Sequence, residues 1–303
     1  MTDATEGVEV WRGAVAPFEC DEAGRIEARF LLGRAMEGLA GLAAELGMAD
    51  AFAASANSTL AVREHHIRFL SEARAGAPLT MRAGVLSMGE DEAEVLQVLR
   101  HGRTGEPCAA FLTRIAHVSV REPRIFAWSA RARAAAAPLT LDAPAFARPN
   151  GLTGGPAQPT AALELAEALG LPVTGRGVVQ PHECDVFGRL RPDAVMGRCA
   201  EAAAHVLDGA ARPAKGARAG RVLTEARILY LRAAAAGARL ELRSAAAGVA
   251  GGLQRFTHWL FDPSDGEPWA SAMVLGAGFE PDAARPPVRA AASETAPAEG
   301  MEL

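Results

Sequence analysis

The stretch VAPFECDEAGRI, Val15 to Ile26, returns near the middle of the chain as VQPHECDVFGRL, Val179 to Leu190. Glu-Cys-Asp-x-x-Gly-Arg stands in both, placing Asp21 on Asp185 at an offset of 164 residues. The same offset carries Gly33-Arg34 onto Gly197-Arg198 and Glu37 onto Glu201. Further on, EHHIRFL (Glu64 to Leu70) pairs with EARILYL (Glu225 to Leu231) at an offset of 161, which also sets Gly76 on Gly237 and Gly105-Glu106-Pro107 on Gly266-Glu267-Pro268. Several matches in one order, drifting by only three residues, are the signature of a duplicated structural unit. The chain therefore reads as a first unit over 1–120, a connector over 121–172, a second unit over 173–281 and a disordered tail over 282–303.

Each unit opens on a short β-prone run, VEVWRGAV or VTGRGVVQ, followed by the Asp-x-x-Gly turn. In the first unit FLLGRAMEGLAGLAAELGM then repeats Leu32, Met36, Leu39, Leu42 and Leu46 at three- and four-residue spacings, the apolar stripe of a helix. Its remaining small residues predict burial on most sides. Four β-prone stretches follow, near 59–70, 78–89, 92–103 and 106–120, separated by Ala-Gly-Ala-Pro, Gly-Glu-Asp and Thr-Gly-Glu-Pro. One helix with about five tightly connected strands predicts an α+β unit, an antiparallel sheet curled around a central helix. The connector is rich in Ala, Pro and Gly and ends in a short helix over Thr160 to Gly170, closed by that glycine.

Composition excludes several function classes. Half of the 303 residues are apolar, the formal net charge is −5 and Lys215 is the only lysine, so no broad basic surface for nucleic acid is expected. Cys20, Cys108, Cys184 and Cys199 show neither a CxxC pair nor zinc-ligand spacing. No basic-then-apolar leader opens the chain, and no apolar run reaches the roughly 20 residues that span a bilayer. The expectation is a cytoplasmic protein with reduced cysteines, no metal and no membrane partner.

The order of strand, Asp-x-x-Gly turn, helix and antiparallel strands resembles the hotdog fold, in its 4-hydroxybenzoyl-CoA-thioesterase-like branch. The residues that carry the resemblance are Cys20-Asp21-x-x-Gly24, then Gly33-Arg34-x-x-Glu37, then Glu64-His65-His66-Ile67-Arg68-Phe69-Leu70. Where that branch often has His and Asn after the turn glycine, this chain has Arg25 and Glu27, and Arg189 and Arg191 in the second copy. The resemblance implies a tandem (double) hotdog whose units pair as an intrachain pseudo-dimer, each covering the other's exposed sheet face, with up to two sites at the junction. It further implies an acyl-CoA or acyl-carrier-protein thioesterase that needs no cofactor, with assembly into a homo-oligomer open. The rival functions are a non-catalytic acyl-thioester-binding protein and a hotdog hydratase or dehydratase. The latter chemistry uses an Asp-x4-His arrangement, whereas Ile26 and Leu190 stand five residues after the two Asps.

Thioester hydrolysis needs a base or nucleophile beside the carbonyl, and donors where its oxygen becomes negative. A carboxylate before a glycine turn that feeds a helix N-terminus offers both. Asp21 and Asp185 are thus the candidate bases or nucleophiles, with oxyanion donors near Gly24 and Gly188. An Asp in such a place also serves as a turn or helix cap. Glu37 and Glu201, inside otherwise apolar helices, are candidates to orient water, or structural acids bonded to Arg34 and Arg198. Glu64 and Glu225 read as cross-strand ion-pair partners. His65 and His66 must point to opposite faces of one strand, so one of them can reach the site. Arg68, with Arg74, Arg100, Arg103, Arg121, Arg227 and Arg232, is a candidate for the substrate's phosphates. A Cys184–His182 nucleophile pair is the remaining possibility, and the first copy has Phe18 in place of that histidine.

Overall fold

Strands buried in continuous runs on both faces and helices buried along one stripe sort the described residues into one sheet and two main helices. The computed structural model describes residues 7–122, 124–152, 161–208, 222–249 and 252–277. The first half holds β1 (Val8–Ala14), α1 (Ala28–Glu45), β2 (Ser58–Phe69), β3 (Pro78–Met88), β4 (Glu92–His101) and β5 (Pro107–Ser119). The connector contributes α2 (Ala130–Ala136) and α3 (Leu163–Ala168). The second half holds β6 (Val173–Val178), α4 (Pro192–Asp208), β7 (Val222–Tyr230), β8 (Arg239–Val249), β9 (Leu253–Phe261) and β10 (Pro268–Ala277). The tail expected over 282–303 lies outside the described residues.

All ten strands form one antiparallel sheet in the order β1-β3-β4-β5-β2-β7-β10-β9-β8-β6. The second five strands repeat the order of the first in reverse. The two halves join where β2 pairs with β7, with Ile67 opposite Ala226 and Arg68 opposite Glu225. Ten strands in one layer differ from two five-stranded sheets facing each other, because the halves meet edge to edge. β2 and β7 thereby satisfy each other's exposed backbone groups, which would otherwise be a liability.

α1 and α4 lie side by side on one face. Leu32, Leu39 and Leu42 of α1 are fully buried, each worth about 1.5–3 kcal/mol of transfer free energy. The helix approaches the sheet closely at Gly41, where a Cβ would stand 2.4 Å from the carbonyl oxygen of Val10. One apolar cluster runs across the junction, from Leu32 and Ile67 to Val195, Ile228 and Phe256. The other sheet face is covered by the connector and not by a partner unit: Phe146 and Ala147 pack on Val98 and Leu112, and Ala161, Ala166 and Leu171 pack on Trp259 and Phe261. Once the halves join by their edges neither can cover the other's outer face, and these connector residues bury it instead.

Candidate active site

On the helix face of the sheet two described cavities open at the junction, and the repeated motifs relate them. The larger, about 420 Å³, has Asp21, Arg25, Arg29 and Glu72 at its mouth. Its walls come from Leu31 and Phe69 of the first half and Cys199, Ala200 and Ala203 of α4, with Phe256, His258 and Val274 of the second half's sheet beneath. The smaller, about 250 Å³, is lined by the corresponding Asp185, Arg189 and Val195, with Tyr230 in the place of Phe69. Trp269 lines it where Cys108 lines the larger cavity, and Met36 where Ala200 does. Each cavity thus takes its turn from one copy and its opposite helix from the other.

Asp21 is held by its own turn. One carboxylate oxygen accepts the amides of Ala23 and Arg25, both at 2.9 Å, and the other accepts Arg25 Nε at 3.0 Å. Arg25 reaches on to Glu72 at 3.3 Å. Partial burial pushes the Asp21 carboxyl up, but the Arg25 and Ala23 donors outweigh it and hold it below its ordinary value, so it is ionised at neutral pH. Among the described residues Asp185 accepts the amides of Phe187 and Arg189 alone, because Arg189 turns its guanidinium to the Val120 carbonyl at 2.6 Å.

The turns do not release the glycine amides. Gly24 and Gly188 donate to the carbonyls of Asp21 and Asp185, at 2.9 and 3.0 Å, so their own N–H groups are not oxyanion donors. Their φ angles of 75° and 74° show what the glycines supply, a left-handed turn conformation. Asp21 is also not at the helix N-terminus itself, since α1 begins at Ala28. Among the described residues, the amides of Ala28 and Arg29 make no hydrogen bond, as the first turn of a helix leaves them, and both residues line the larger cavity.

The other sequence candidates scatter. Glu37 is half-exposed and bound to Arg34 (2.9 Å) and the Trp11 indole, and Glu201 is exposed with Arg198 at 3.5 Å. Neither lines the Asp21 or the Asp185 cavity. His65 points inward, with Nδ1 3.0 Å from the Tyr230 hydroxyl, and burial pushes its pKa down to about 3. His66 points outward and bonds Glu225 at 2.6 Å. Arg68 is on that outer face too, donating to the Arg148 carbonyl at 2.8 Å, so the structure brings neither His66 nor Arg68 to Asp21. Glu225 accepts the amides of Asn150 and Gly151 as well. Burial raises its pKa, but His66 and these amides overcome that and lower it to about 2. Glu64 bonds Arg227 across the junction at 2.6 Å and Arg114 at 2.8 Å.

The cysteines are poor nucleophiles. Burial pushes the thiols of Cys108 and Cys199 up to about 12, and Cys184 donates to the Gln180 carbonyl, not to His182. Sequence reasoning missed two sets of residues. Glu19 and Glu183 are the motif acids that anchor Arg34 and Arg198, which explains why Glu-Cys-Asp and Gly-Arg recur together. His258 sits inside FTHWLF and reads there as a core strand, yet it lines the larger cavity. Among the described residues no cluster of three or more His, Cys, Asp or Glu is arranged to hold a metal, and no helix is long and apolar enough to cross a membrane.

Residues 15–143 match the model of the thioesterase-like superfamily. No curated protein sequence matches the chain. Among solved structures, a protein assigned as an oleoyl thioesterase from Lactobacillus plantarum superposes with a TM-score of 0.68 at 13% identity, covering 92% of this chain and 99% of its own. A 12:0-ACP thioesterase from Umbellularia californica gives 0.63 at 12% identity over 88% and 92%. An acyl-ACP thioesterase from Bacteroides thetaiotaomicron gives 0.62 at 11% identity over 88% and 96%. Residues 15–143 thus match the thioesterase-like superfamily, and the chain shares its fold with these thioesterase structures along most of its length.

Proposed function

We propose that this chain is a tandem hotdog protein, one unit on each side of the connector, that hydrolyses an acyl thioester at Asp21 in the larger junction cavity. The observation that carries this reading is the ionised Asp21 carboxylate at the mouth of an apolar cavity, beside the unbonded amides of Ala28 and Arg29. The acyl chain lies under α4, and the thioester oxygen faces those amides, where negative charge that develops on it is stabilised. Asp21 removes a proton from water as it adds to the carbonyl, or adds directly and is freed by water. In either case the C–S bond breaks, the thiol leaves with a proton and the acid remains. Exposed Arg29 and Arg74 flank the mouth and suit the phosphates of CoA or of a carrier protein's phosphopantetheine. No cofactor enters this scheme.

One observation favours a second reading: all of the Asp21 oxygens' close donors come from its own turn, and no His or Asn follows the glycine, which suits an acyl-thioester-binding protein without turnover. Free-thiol release from saturated acyl-CoAs of increasing length, in wild type and Asp21→Asn, separates the two. Turnover that disappears in a folded Asp21→Asn protein supports hydrolysis. Binding without turnover in the wild type supports the second reading, and turnover unaffected by the substitution removes Asp21 from the mechanism.

A further inference from the structure

The deep end of the larger cavity is not uniformly apolar. His258, on β9, is 1% exposed to bulk solvent and forms part of the cavity wall. Counting from β2, which supplies Phe69, the sheet passes β7 and β10 before reaching β9. Three strand spacings put His258 roughly 14 Å from the strand of Phe69. Its Nδ1 is 2.8 Å from the Ser244 hydroxyl on β8, and Ser244 in turn accepts from Thr174 at 2.8 Å. Thr174 has one hydroxyl proton, and Ser244 at 2.8 Å takes it in preference to the Leu242 carbonyl at 3.4 Å; the Ser244 proton then goes to Nδ1, and this assignment leaves the proton of the ring on Nε2. Burial lowers the His258 pKa to about 3, so the ring is neutral. Nε2 is the ring nitrogen farthest from the backbone, and among the described residues it has no hydrogen-bond partner. Phe256 stacks on the ring at 6.2 Å and keeps it in the cavity wall.

The first copy shows that this arrangement is not imposed by the fold. Gln97 holds the equivalent position there and spends its amide on the Ala35 carbonyl at 2.6 Å, pinning α1 to the sheet. His258 bonds sideways to the sheet instead, and the space under α4 stays open. An N–H donor that faces a binding cavity without a protein acceptor is a place for a ligand acceptor. The cations that line the cavity, Arg25 and Arg29, are at the mouth, so a carboxylate carried to the deep end would be buried without a counter-charge.

Building on the thioesterase reading, we infer that the acyl group taken by this cavity carries a neutral hydrogen-bond-accepting oxygen, a hydroxyl or ketone, towards its distal end, and that His258 selects it. The test compares octanoyl-, decanoyl- and dodecanoyl-CoA with their ω-hydroxy counterparts, by kcat/KM, in wild type, His258→Phe and His258→Gln. The wild type prefers the ω-hydroxy substrate of at least one length by about tenfold. His258→Phe abolishes that preference while the saturated substrate is still hydrolysed, and His258→Gln, which restores a donor, keeps part of it. No preference in the wild type at any length, or a preference unchanged in His258→Phe, overturns the inference. Calorimetric binding of decanoic and ω-hydroxydecanoic acid to the same three proteins, with melting curves to confirm folding, makes the comparison without turnover. A His258-dependent preference there with no hydrolysis of any thioester would sink the thioesterase reading and leave this inference standing; equal binding of the two acids overturns the inference.

Discussion

The two helix-face junction cavities share a turn, a helix start and a sheet edge, yet one is about 420 Å³ and the other about 250 Å³. The difference lies in wall residues far from either Asp. Ala200 and Cys108 line the larger cavity where Met36 and Trp269 line the smaller, and Phe69 is exchanged for Tyr230, whose hydroxyl is taken by His65. The Asps differ too, since Asp21 is clamped by the Arg25 guanidinium and Asp185 has lost its arginine to the Val120 carbonyl. The repeated motifs repeat the geometry of their turns, but each cavity borrows a wall from the other copy, so a few size changes in one copy narrow the cavity of the other.

The sharpest way to break this comparison is at the carboxylates. Asp21→Asn is expected to lower thiol release by about 10²–10⁴-fold, while Asp185→Asn changes it less than twofold. Equal losses in the two variants would mean that both cavities work. Next in size is the asymmetry on the outer face, where Glu225 straps the connector and its counterpart Glu64 does not. Glu225→Ala leaves His66 and two connector amides without their partner and is expected to cost about 3–5 kcal/mol in denaturant unfolding. A loss below about 1 kcal/mol would show that the strap holds nothing.

Filling the larger cavity in the manner of the smaller is the third test. Cys108→Trp with Ala200→Met is expected to raise KM for long acyl substrates at least about tenfold with a smaller effect on short ones. A uniform loss across lengths would place the acyl chain elsewhere. Acid stability comes fourth. Glu225 has a folded pKa of about 2, below its unfolded value, so its contribution is present above about pH 4.5 and is lost as the pH falls towards 2. His65 and His258 resist protonation until about pH 3, whereas the unfolded chain takes up those protons near pH 6.5, so they also cost stability as the pH falls. Melting temperature should therefore decline steadily below pH 6.5 and decline less steeply between pH 4.5 and 2 in Glu225→Gln. The smallest effect is expected at Glu37→Ala and Glu201→Ala, within about ±0.5 kcal/mol of wild-type stability and with thiol release unchanged. A large activity loss in either would bring these acids back to the site.

Much of the fold was legible because its signals are local. Leu32, Leu39 and Leu42 share a helix face, and Gly76, Gly89 and Gly105 mark turns between strands, wherever the rest of the chain goes. The site was legible in part. Asp21 announced itself by its place before Gly24, but Glu37 stood out only as a charge among apolar residues, and its partners Arg34 and Trp11 answer for it. The pair His65-His66 had to split between two faces, yet which one turned inward depended on register with β7. His258 was invisible because a histidine between Thr257 and Trp259 looks the same whether its face meets packed side chains or an open cavity.

By itself, then, the sequence determined that one set of motifs recurs in the same order and that each copy of it offers an Asp on a glycine turn, since motifs, turns and periodicity are properties of neighbouring residues. The tertiary structure alone decided that β2 and β7 join edge to edge, that the connector covers the outer face, and that the Asp21 cavity is larger than the Asp185 cavity. Those outcomes rest on contacts between residues more than a hundred positions apart, such as Asp21 and Ala200 around one cavity, and no local pattern encodes the volume left between them.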